Sequence, residues 1–229
     1  MSVLAFFRNF DIVEWLIRAV VVLLAISVHE ASHGLASYLL GDRTAKGMGR
    51  ISLNPLRHID WMGALCLLCF GFGWAKPVMV NSYRFKNPKL GMSIVGLAGP
   101  LSNFVMALLG TIGLKIMMLC GAVEFVGMIG YICDGAVAEF FVYFLFLFMM
   151  MNIGLGVFNL IPIPPLDGSK IFLSLLPTKL YYDIMRYEHL GWLLLVVALA
   201  LGVLDPILGF ANKYIINAMF YLVGVPFKV

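Results

Sequence analysis

Charged residues are scarce in this chain. Only 12% of its 229 residues are Asp, Glu, Lys or Arg, whereas ordinary soluble domains carry about 25%. Hydrophobic residues make up 62% of the sequence. This shortage of charge excludes an ordinary soluble globular domain. It predicts an integral membrane protein whose main partner is the lipid bilayer.

Cysteine is also rare, at four residues. Cys66 and Cys69 form a C-x-x-C pair, but the pair lies in an apolar segment and no second pair accompanies it. We therefore interpret both as small buried hydrophobic residues and predict neither a cysteine metal site nor a disulfide. The net charge of +4 lies mostly in loops, which fits membrane topology better than nucleic-acid binding. No nucleic-acid partner is predicted.

Long apolar runs dominate the sequence instead. A helix needs about 20 residues to span a bilayer. The run at 61–75 is too short for this, and basic loops flank it on both sides, so we expect it to enter the membrane and return. The predicted fold class is an all-α polytopic membrane protein with five to six transmembrane helices and this re-entrant element. The apolar runs lie near 12–40, 61–75, 91–119, 137–161, 190–204 and 207–225.

Lysine and arginine are absent from Ile116 to Ser169. Because basic loops stay on the cytoplasmic side of a membrane protein, the region 120–136 is predicted to lie outside. The same rule predicts an N-terminus outside, an outer turn at Asp205 between the last two helices, and a C-terminus inside. The residues that mark the inner loops are Arg43, Lys46, Arg50, Arg57, Lys76, Arg84, Lys86, Lys89, Lys170, Lys179 and Arg186.

Two segments, 44–54 and 76–82, have no helical period and contain glycine, proline and residues typical of strands. We predict short membrane-associated β-strands there, one on each side of the re-entrant element. Irregular backbone near lipid must be shielded by protein or line a wet cavity. The alternative is that both segments are surface loops at the level of the lipid headgroups.

Residues 29–33 read His-Glu-Ala-Ser-His, and Glu30 is the only charged residue for more than ten positions on either side. An ionisable group in a bilayer is costly unless it is paired or used. On a helix, His29 and His33 lie on one face, one turn apart, so two imidazoles can bind one metal ion. Glu30 is then placed to reach a water on that metal. H-E-x-x-H on a helix is the pattern of zinc hydrolases.

A catalytic zinc site takes a third protein ligand and keeps one position open for water. The candidates are His58, His189 and Asp167. We favour Asp167, because the topology puts the end of the fourth apolar run on the same side as the end of the first. The prolines before Asp167 end that helix, and Gly168 allows a sharp turn back toward the histidines. As an alternative, Asp167 caps a helix that starts at Ser169.

Five sequence blocks together resemble one known family. They read H-E-A-S-H at 29–33, N-P-L-R-H-I-D at 54–60, G-F-G-W-A-K-P-V at 71–78, A-G-P-L-S-N at 98–103 and N-L-I-P-I-P-P-L-D-G at 159–168. The combination resembles the site-2 protease family of intramembrane zinc metalloproteases. The chain is similar to a minimal member, because no inserted PDZ-like or nucleotide-sensing domain is evident.

The resemblance implies one Zn²⁺ per chain, held by His29, His33 and Asp167, with Glu30 as the general base. It implies an enzyme that hydrolyses peptide bonds within or near transmembrane segments of membrane-anchored proteins. The expected location is the cell membrane, with a multi-pass chain and an active site toward the cytoplasmic side. Substrate would be a transmembrane protein.

The length of 229 residues suits a single membrane-embedded domain over 1–229. The resemblance covers a catalytic core at about 11–175, and the accessory helices lie at about 188–225. The residues expected to contact substrate are Asn159, Pro162, Pro164 and Asn103. Asn159 could instead cap its helix, and Asn103 could instead support helix packing or form a hydrogen bond near the site.

Two other functions compete with a protease. A zinc transporter needs a path of acidic and histidine groups across the membrane, and the helices offer few beyond the residues already named. An inactive homologue that only binds membrane helices has no need of the base, so the presence of Glu30 argues against it. The sequence makes no prediction of oligomeric state.

Overall fold

The computed structural model describes residues 12–60, 62, 76–126 and 130–226. Within these residues the protein is mostly helical, as predicted, with one short pair of strands. The α-helices are α1 (Ile12–Leu39), α2 (Thr44–Gly47), α3 (Pro88–Leu119), α4 (Ala136–Asn159), α5 (Asp167–Leu173), α6 (Thr178–Arg186), α7 (Glu188–Ala200) and α8 (Asp205–Val223). The strands are β1 (Val123–Val126) and β2 (Gly130–Cys133), and 3₁₀ helices cover Pro55–Arg57 and Ser82–Arg84.

Helix α1 is long because its sequence is apolar and contains no proline. Glu14 lies in its first turn, where a negative charge complements the helix dipole. The helix ends at Leu39, and Gly41 follows with φ 104°, a left-handed conformation that favours glycine. At 1.5 Å per residue, His29 lies about 15 Å from the Leu39 end. The histidines are therefore well inside the helix.

Small residues allow α1, α3 and α4 to pack closely. A methyl group added at Gly110 of α3 would lie 3.3 Å from the ring of Phe148 and 3.4 Å from Cβ of Met149, both on α4. Gly156 of α4 gives similar room to Phe104 of α3. Close backbone approach through small residues is typical of membrane helices. The core that results includes Ala107, Leu114, Val142, Met149, Ile153 and Phe220.

Three helices, α1, α3 and α4, are long and apolar enough to cross a membrane. Helix α7 is only about 20 Å long, too short to cross alone, and it meets α8 at a bend of 83°. The described part of the chain thus holds three candidate spans, or four when α7 and α8 form one broken span. The predicted five to six spans are not confirmed. Apart from Met62, the predicted re-entrant element at 61–75 lies outside the described residues.

Apolar side chains cover much of the outer surface of these helices. Such a surface suits lipid, because lipid tails are as apolar as leucine. The composition and the exposed side chains therefore agree on a membrane protein. Side chains that are about half exposed include Leu16, Val20, Leu101, Leu109, Leu193 and Phe210.

Contacts of two lysines show which chain segments meet at each end of the packed helices. At one end, Lys89 near the start of α3 donates a hydrogen bond to the carbonyl oxygen of Leu176, so the basic loops meet there. At the opposite end, Nζ of Lys115 near the end of α3 lies 2.5 Å from the carbonyl oxygen of Gly224, just after α8. The end of α8 therefore lies at the end of the helices away from the basic loops. The sequence predicted a C-terminus on the basic side, and the side of the membrane that it occupies stays a prediction.

Neither segment that was predicted as a strand forms one among the described residues. In 44–54, Asp42 accepts hydrogen bonds from the backbone N–H and the hydroxyl of Thr44, and the short helix α2 begins there. In 76–82, Val78 and Asn81 donate their N–H groups to side-chain carboxylates rather than to a neighbouring strand. The observed strands β1 and β2 form an antiparallel hairpin beyond the far end of α3.

Candidate metal centre

His29 and His33 lie one turn apart on α1, as their spacing predicts. Both side chains are buried, and their rings meet edge to face with centroids 4.6 Å apart. Their Nε2 atoms are 3.0 Å from each other. Helix α1 therefore presents two imidazole nitrogens at a single point in the protein interior.

Asp167 brings a carboxylate to the same point from a distant part of the chain. Its Oδ2 lies 3.1 Å from Nε2 of His29 and 3.0 Å from Nε2 of His33. Helix α4 ends at Asn159, and the proline-rich turn leads directly into α5, which begins at Asp167. Gly168 is needed in this turn, because any side chain there would overlap the carbonyl group of Leu160. The alternative role of Asp167, as the cap of a helix that starts at Ser169, is wrong.

Hydrogen bonds fix which nitrogen of each histidine faces the carboxylate. Nδ1 of His33 lies 2.7 Å from the carbonyl oxygen of Val95, which can only accept, so Nδ1 carries the proton. Nδ1 of His29 lies 2.6 Å from Oδ1 of Asn103. Both Nε2 atoms therefore carry lone pairs toward Asp167, the arrangement seen when backbone or side-chain oxygens orient metal-binding histidines.

The orientation of Asn103 is itself determined by a chain of donors. Asn152 donates from Nδ2 to the carbonyl oxygen of Phe148, which leaves its Oδ1 to accept from Nδ2 of Asn103 at 2.9 Å. The Oδ1 atom of Asn103 must then face His29 and accept its proton. Both asparagines are fully buried on α3 and α4. Asn103 thus supports a histidine, which matches the alternative of a hydrogen bond near the site.

The three facing atoms suit a zinc ion. Lone pairs turned toward one another within about 3 Å repel unless a cation lies among them. Zinc binds histidine nitrogen and carboxylate oxygen at about 2.0–2.2 Å, and tetrahedral geometry then separates the ligand atoms by roughly 3.3–3.6 Å. The observed separations of 3.0–3.1 Å are a few tenths of an ångström shorter. His29, His33 and Asp167 therefore fit zinc in both chemistry and spacing.

Gly99 of α3 lies against both imidazole rings. A methyl group added there would be 2.5 Å from Cε1 and Nε2 of His33 and 2.6 Å from Cε1 of His29. Only a glycine leaves space for α3 to pass this close to the histidine pair. The sequence motif A-G-P-L-S-N is explained in part by this approach.

Lys170 is a site residue that the sequence did not single out. Its Nζ donates to Oδ1 of Asp167 at 2.9 Å, so each carboxylate oxygen has its own set of partners. Burial opposes the charged form of Lys170, but the adjacent Asp167 carboxylate outweighs burial and raises the pKa of the lysine. The one available clue was its position three residues after Asp167, which places both on one face of a helix.

Glu30 lies next to the metal-binding cluster and not within it. It is half-buried on α1, and its Oε2 accepts a hydrogen bond of 2.9 Å from the backbone N–H of Val78. The sequence had no means of showing this contact, because 48 residues separate the two groups. The 76–82 segment therefore holds one oxygen of the glutamate in place.

The remaining predicted residues surround the end of α4. Asn159 is half-buried and donates to the carbonyl oxygen of Leu155 in its own helix, while Pro162 is exposed and Pro164 half-buried in the following turn. The other candidates for the third ligand lie elsewhere. His58 bonds through Nε2 to the carbonyl oxygen of Ser52, and His189 lies in α7.

Comparison with known proteins identifies the family of the chain. The chain matches the model of peptidase family M50 over residues 17–201, which include Glu30 and all three candidate metal ligands. The chain belongs to peptidase family M50. Membership confirms the predicted resemblance to site-2 proteases and the predicted class of enzyme, a zinc metalloprotease.

Two similar proteins are both named as zinc metalloproteases. The chain is 35% identical over 178 residues to "Putative zinc metalloprotease YwhC" of Bacillus subtilis, across 78% of this chain and 77% of that protein. It is 28% identical over 184 residues to "Putative zinc metalloprotease Rip2" of Mycolicibacterium smegmatis, across 77% of this chain and 64% of that protein. No solved structure gives a significant match to the chain.

Proposed function

We propose that this M50 protein is an intramembrane zinc metalloprotease that cleaves membrane-anchored proteins within or near their transmembrane segments. The observation that carries the proposal is the buried cluster of His29, His33 and Asp167, with Glu30 beside it, in helices otherwise made of apolar residues. Polar groups at such a position need a function. A metal-assisted hydrolase uses this number and kind of ligands.

Zinc, when bound, would supply a Lewis acid that polarises the carbonyl group of the substrate and lowers the pKa of water, so that hydroxide is available at neutral pH. The proton then has to be moved by the protein. Glu30 is the group for this, since Val78 holds only its Oε2 and no described residue bonds its Oε1. The carboxylate accepts a proton from the attacking water and returns it to the leaving amine.

Residues at the end of α4 are proposed to contact the substrate. A transmembrane helix has all its backbone groups bonded internally, so the bond to be cut becomes accessible only after local unwinding. Asn159 ends α4, and Pro162 and Pro164 lie in the turn that follows and leads to Asp167. Pro162 is exposed, and the other two residues are half-buried. Asn103 is proposed instead to position His29, because it is fully buried with both ends of its amide bonded.

The proposed location is the cell membrane, with the metal centre toward the cytoplasmic side. The basic loops before α3 and after α5 meet at one end of the helices, where Lys89 bonds to Leu176 and Arg84 lies 3.8 Å from Asp42. Basic loops of this kind face the cytoplasm. The end of α1 nearest the histidines lies at the same end, which supports an active site that is reached from the cytoplasm.

The proposal is tested by cleavage of a tagged single-span protein in detergent with zinc. We compare the native chain with Glu30→Gln, which keeps the shape of the side chain and removes the base. We expect the rate to fall at least about 100-fold, the usual contribution of a general base. Glu124→Gln, at an exposed residue of β1, is the matched control and should cleave normally.

One result would contradict the role of Glu30, and another would contradict the proposed function. Equal cleavage by the native chain and Glu30→Gln would remove Glu30 from catalysis. Zinc uptake into liposomes without any cleavage would favour a transporter, although the described residues contain only one metal-binding cluster. Substrates with helix-weakening residues near the cut should be cleaved faster than stiff poly-leucine spans.

A further inference from the structure

Lys170 donates a hydrogen bond to the oxygen of Asp167 that does not face the histidines. Oδ2 of Asp167 faces both Nε2 atoms, whereas Oδ1 accepts from Nζ of Lys170 at 2.9 Å. The lysine side chain is only 24% exposed. One carboxylate is therefore shared between a metal-facing oxygen and a lysine-facing oxygen, each with fixed partners.

The stem of Lys170 is itself held in place by α3. Gly96 of α3 lies so close that an added methyl group would be 3.2 Å from Cβ and 3.6 Å from Cδ of Lys170. The same methyl group would be 3.1 Å from the backbone oxygen of Asp167. Gly96 therefore lets α5 press its first turn against α3. This packing sets the direction of the ammonium group as well as that of the carboxylate.

A partly buried ammonium group beside a metal site is unfavourable by charge alone. It repels the cation that the site binds, and it competes with that cation for the same carboxylate. An ordinary ion pair with three-residue spacing stabilises a helix only weakly and forms on exposed surfaces. The location of Lys170 thus requires an explanation other than helix stability.

We propose that Lys170 is a positioning residue that keeps Asp167 a one-oxygen ligand of the zinc. The inference rests on the proposed function of the metal centre and extends it. With Oδ1 held by the ammonium group, the carboxylate cannot rotate to offer both oxygens, and one zinc position stays open for water and substrate. Hydrogen-bond partners of this kind fix the orientation of metal ligands.

The test measures metal binding and coordination directly. Cobalt(II) is titrated into purified, metal-free protein, because its visible absorption is strong in four-coordinate sites and weaker in five-coordinate ones. We expect Lys170→Met to bind cobalt(II) with a weaker absorption band per bound ion than the native chain, because the freed carboxylate can offer both of its oxygens. Lys170→Arg keeps a charged donor and should restore the band. Lys179→Met, an exposed lysine in α6, should bind like the native chain.

The outcomes separate this inference from the proposed function. A native spectrum in Lys170→Met, or an equal loss of the band in Lys170→Arg, would overturn the role of Lys170. A native chain that binds no metal would overturn the metal centre and the proposed function with it. A native chain that binds metal but never cleaves would overturn the proposed function and leave the test of Lys170 valid. If Lys170→Met does not fold, Lys170→Gln replaces it and must give a weaker absorption band per bound ion than Lys170→Arg.

Discussion

At the scale of single residues, the metal centre depends on neighbouring groups that fix the protonation and the position of the two histidines. The carbonyl oxygen of Val95 and the amide oxygen of Asn103 leave one protonation pattern for the two histidines. Gly99 gives the rings the space they occupy. None of these groups bonds a metal, yet each decides whether the two Nε2 atoms converge. Substitutions at such positions should alter metal binding before they alter the fold.

Gly99→Ala is the sharpest test at this scale. The new methyl group would be 2.5 Å from the ring of His33, which neither ring can tolerate without moving. We expect zinc affinity to fall by at least about 10-fold, the range found when the orientation of a metal ligand is lost. Isothermal titration of metal-free protein measures the loss. Gly154→Ala, in α4 with nothing within 4 Å, is the matched control and should bind zinc normally. Normal binding by Gly99→Ala would contradict the close approach.

The sequence predicted the atoms that meet at the site better than it predicted their support. His29 and His33 follow from helical spacing, and Asp167 follows from its proline-rich turn and the charge of the loops. Lys170 was treated only as a topology marker, because its partner at Oδ1 depends on how α5 packs against α3. Val78 acts through its backbone, so no side-chain pattern can indicate its bond to Glu30.

At the scale of elements, the 76–82 segment is fixed to α1 by two carboxylates. Glu30 accepts from the N–H of Val78, and Asp42 accepts from the N–H of Asn81 at 2.8 Å. Backbone donors that a β-sheet would have used are thus bonded to side chains. This explains why a segment with residues typical of strands is irregular: strand propensity describes a fit to neighbouring strands, and here the neighbour is a helix.

Asp42 holds the 76–82 segment against the end of α1, so its substitution should loosen that segment. It is fully buried and accepts from Ser37, Thr44 and Asn81. Burial alone would raise the pKa of Asp42, but hydrogen bonds from these residues outweigh burial and lower it, so the carboxylate is charged at neutral pH. Asp42→Asn turns an amide N–H₂ toward donors. We expect a loss of about 2 kcal/mol or more in stability, since a charged hydrogen bond contributes about 1.5–3 kcal/mol.

The Asp42 variant should also separate metal binding from catalysis. Zinc binding should persist, because none of the three metal-binding residues contacts Asp42. Cleavage should slow, because a loosened 76–82 segment would no longer hold Glu30 through the N–H group of Val78. Thermal unfolding, zinc titration and the cleavage assay measure the three effects on one preparation. Asp134→Asn, an exposed carboxylate beyond the hairpin, should match the native chain in all three. Reduced zinc affinity together with normal cleavage in Asp42→Asn would contradict this division of roles.

At the scale of the whole molecule, the last two helices decide the topology. Charge counting treated α7 and α8 as two crossings, which returned the chain to the basic side. The structure joins them at 83° through a turn in which Gly202 has a φ of 67°. Val225 then packs in the same cluster as Val123 of β1, at the end away from the basic loops. Hydropathy alone cannot distinguish two short spans from one broken span, because both have the same composition.

Side-specific labelling should place the end of α8 with the hairpin. Three single-cysteine proteins are compared in sealed vesicles with a membrane-impermeant maleimide: one that keeps the exposed Cys120, one with Pro226→Cys, and one with Lys86→Cys in a basic loop. The other native cysteines are replaced by alanine. We expect Cys120 and Pro226→Cys to react from one side and Lys86→Cys from the other, because Gly224 contacts Lys115 at the far end of α3. Labelling of Pro226→Cys on the side of Lys86→Cys would mean that α7 and α8 each cross the membrane.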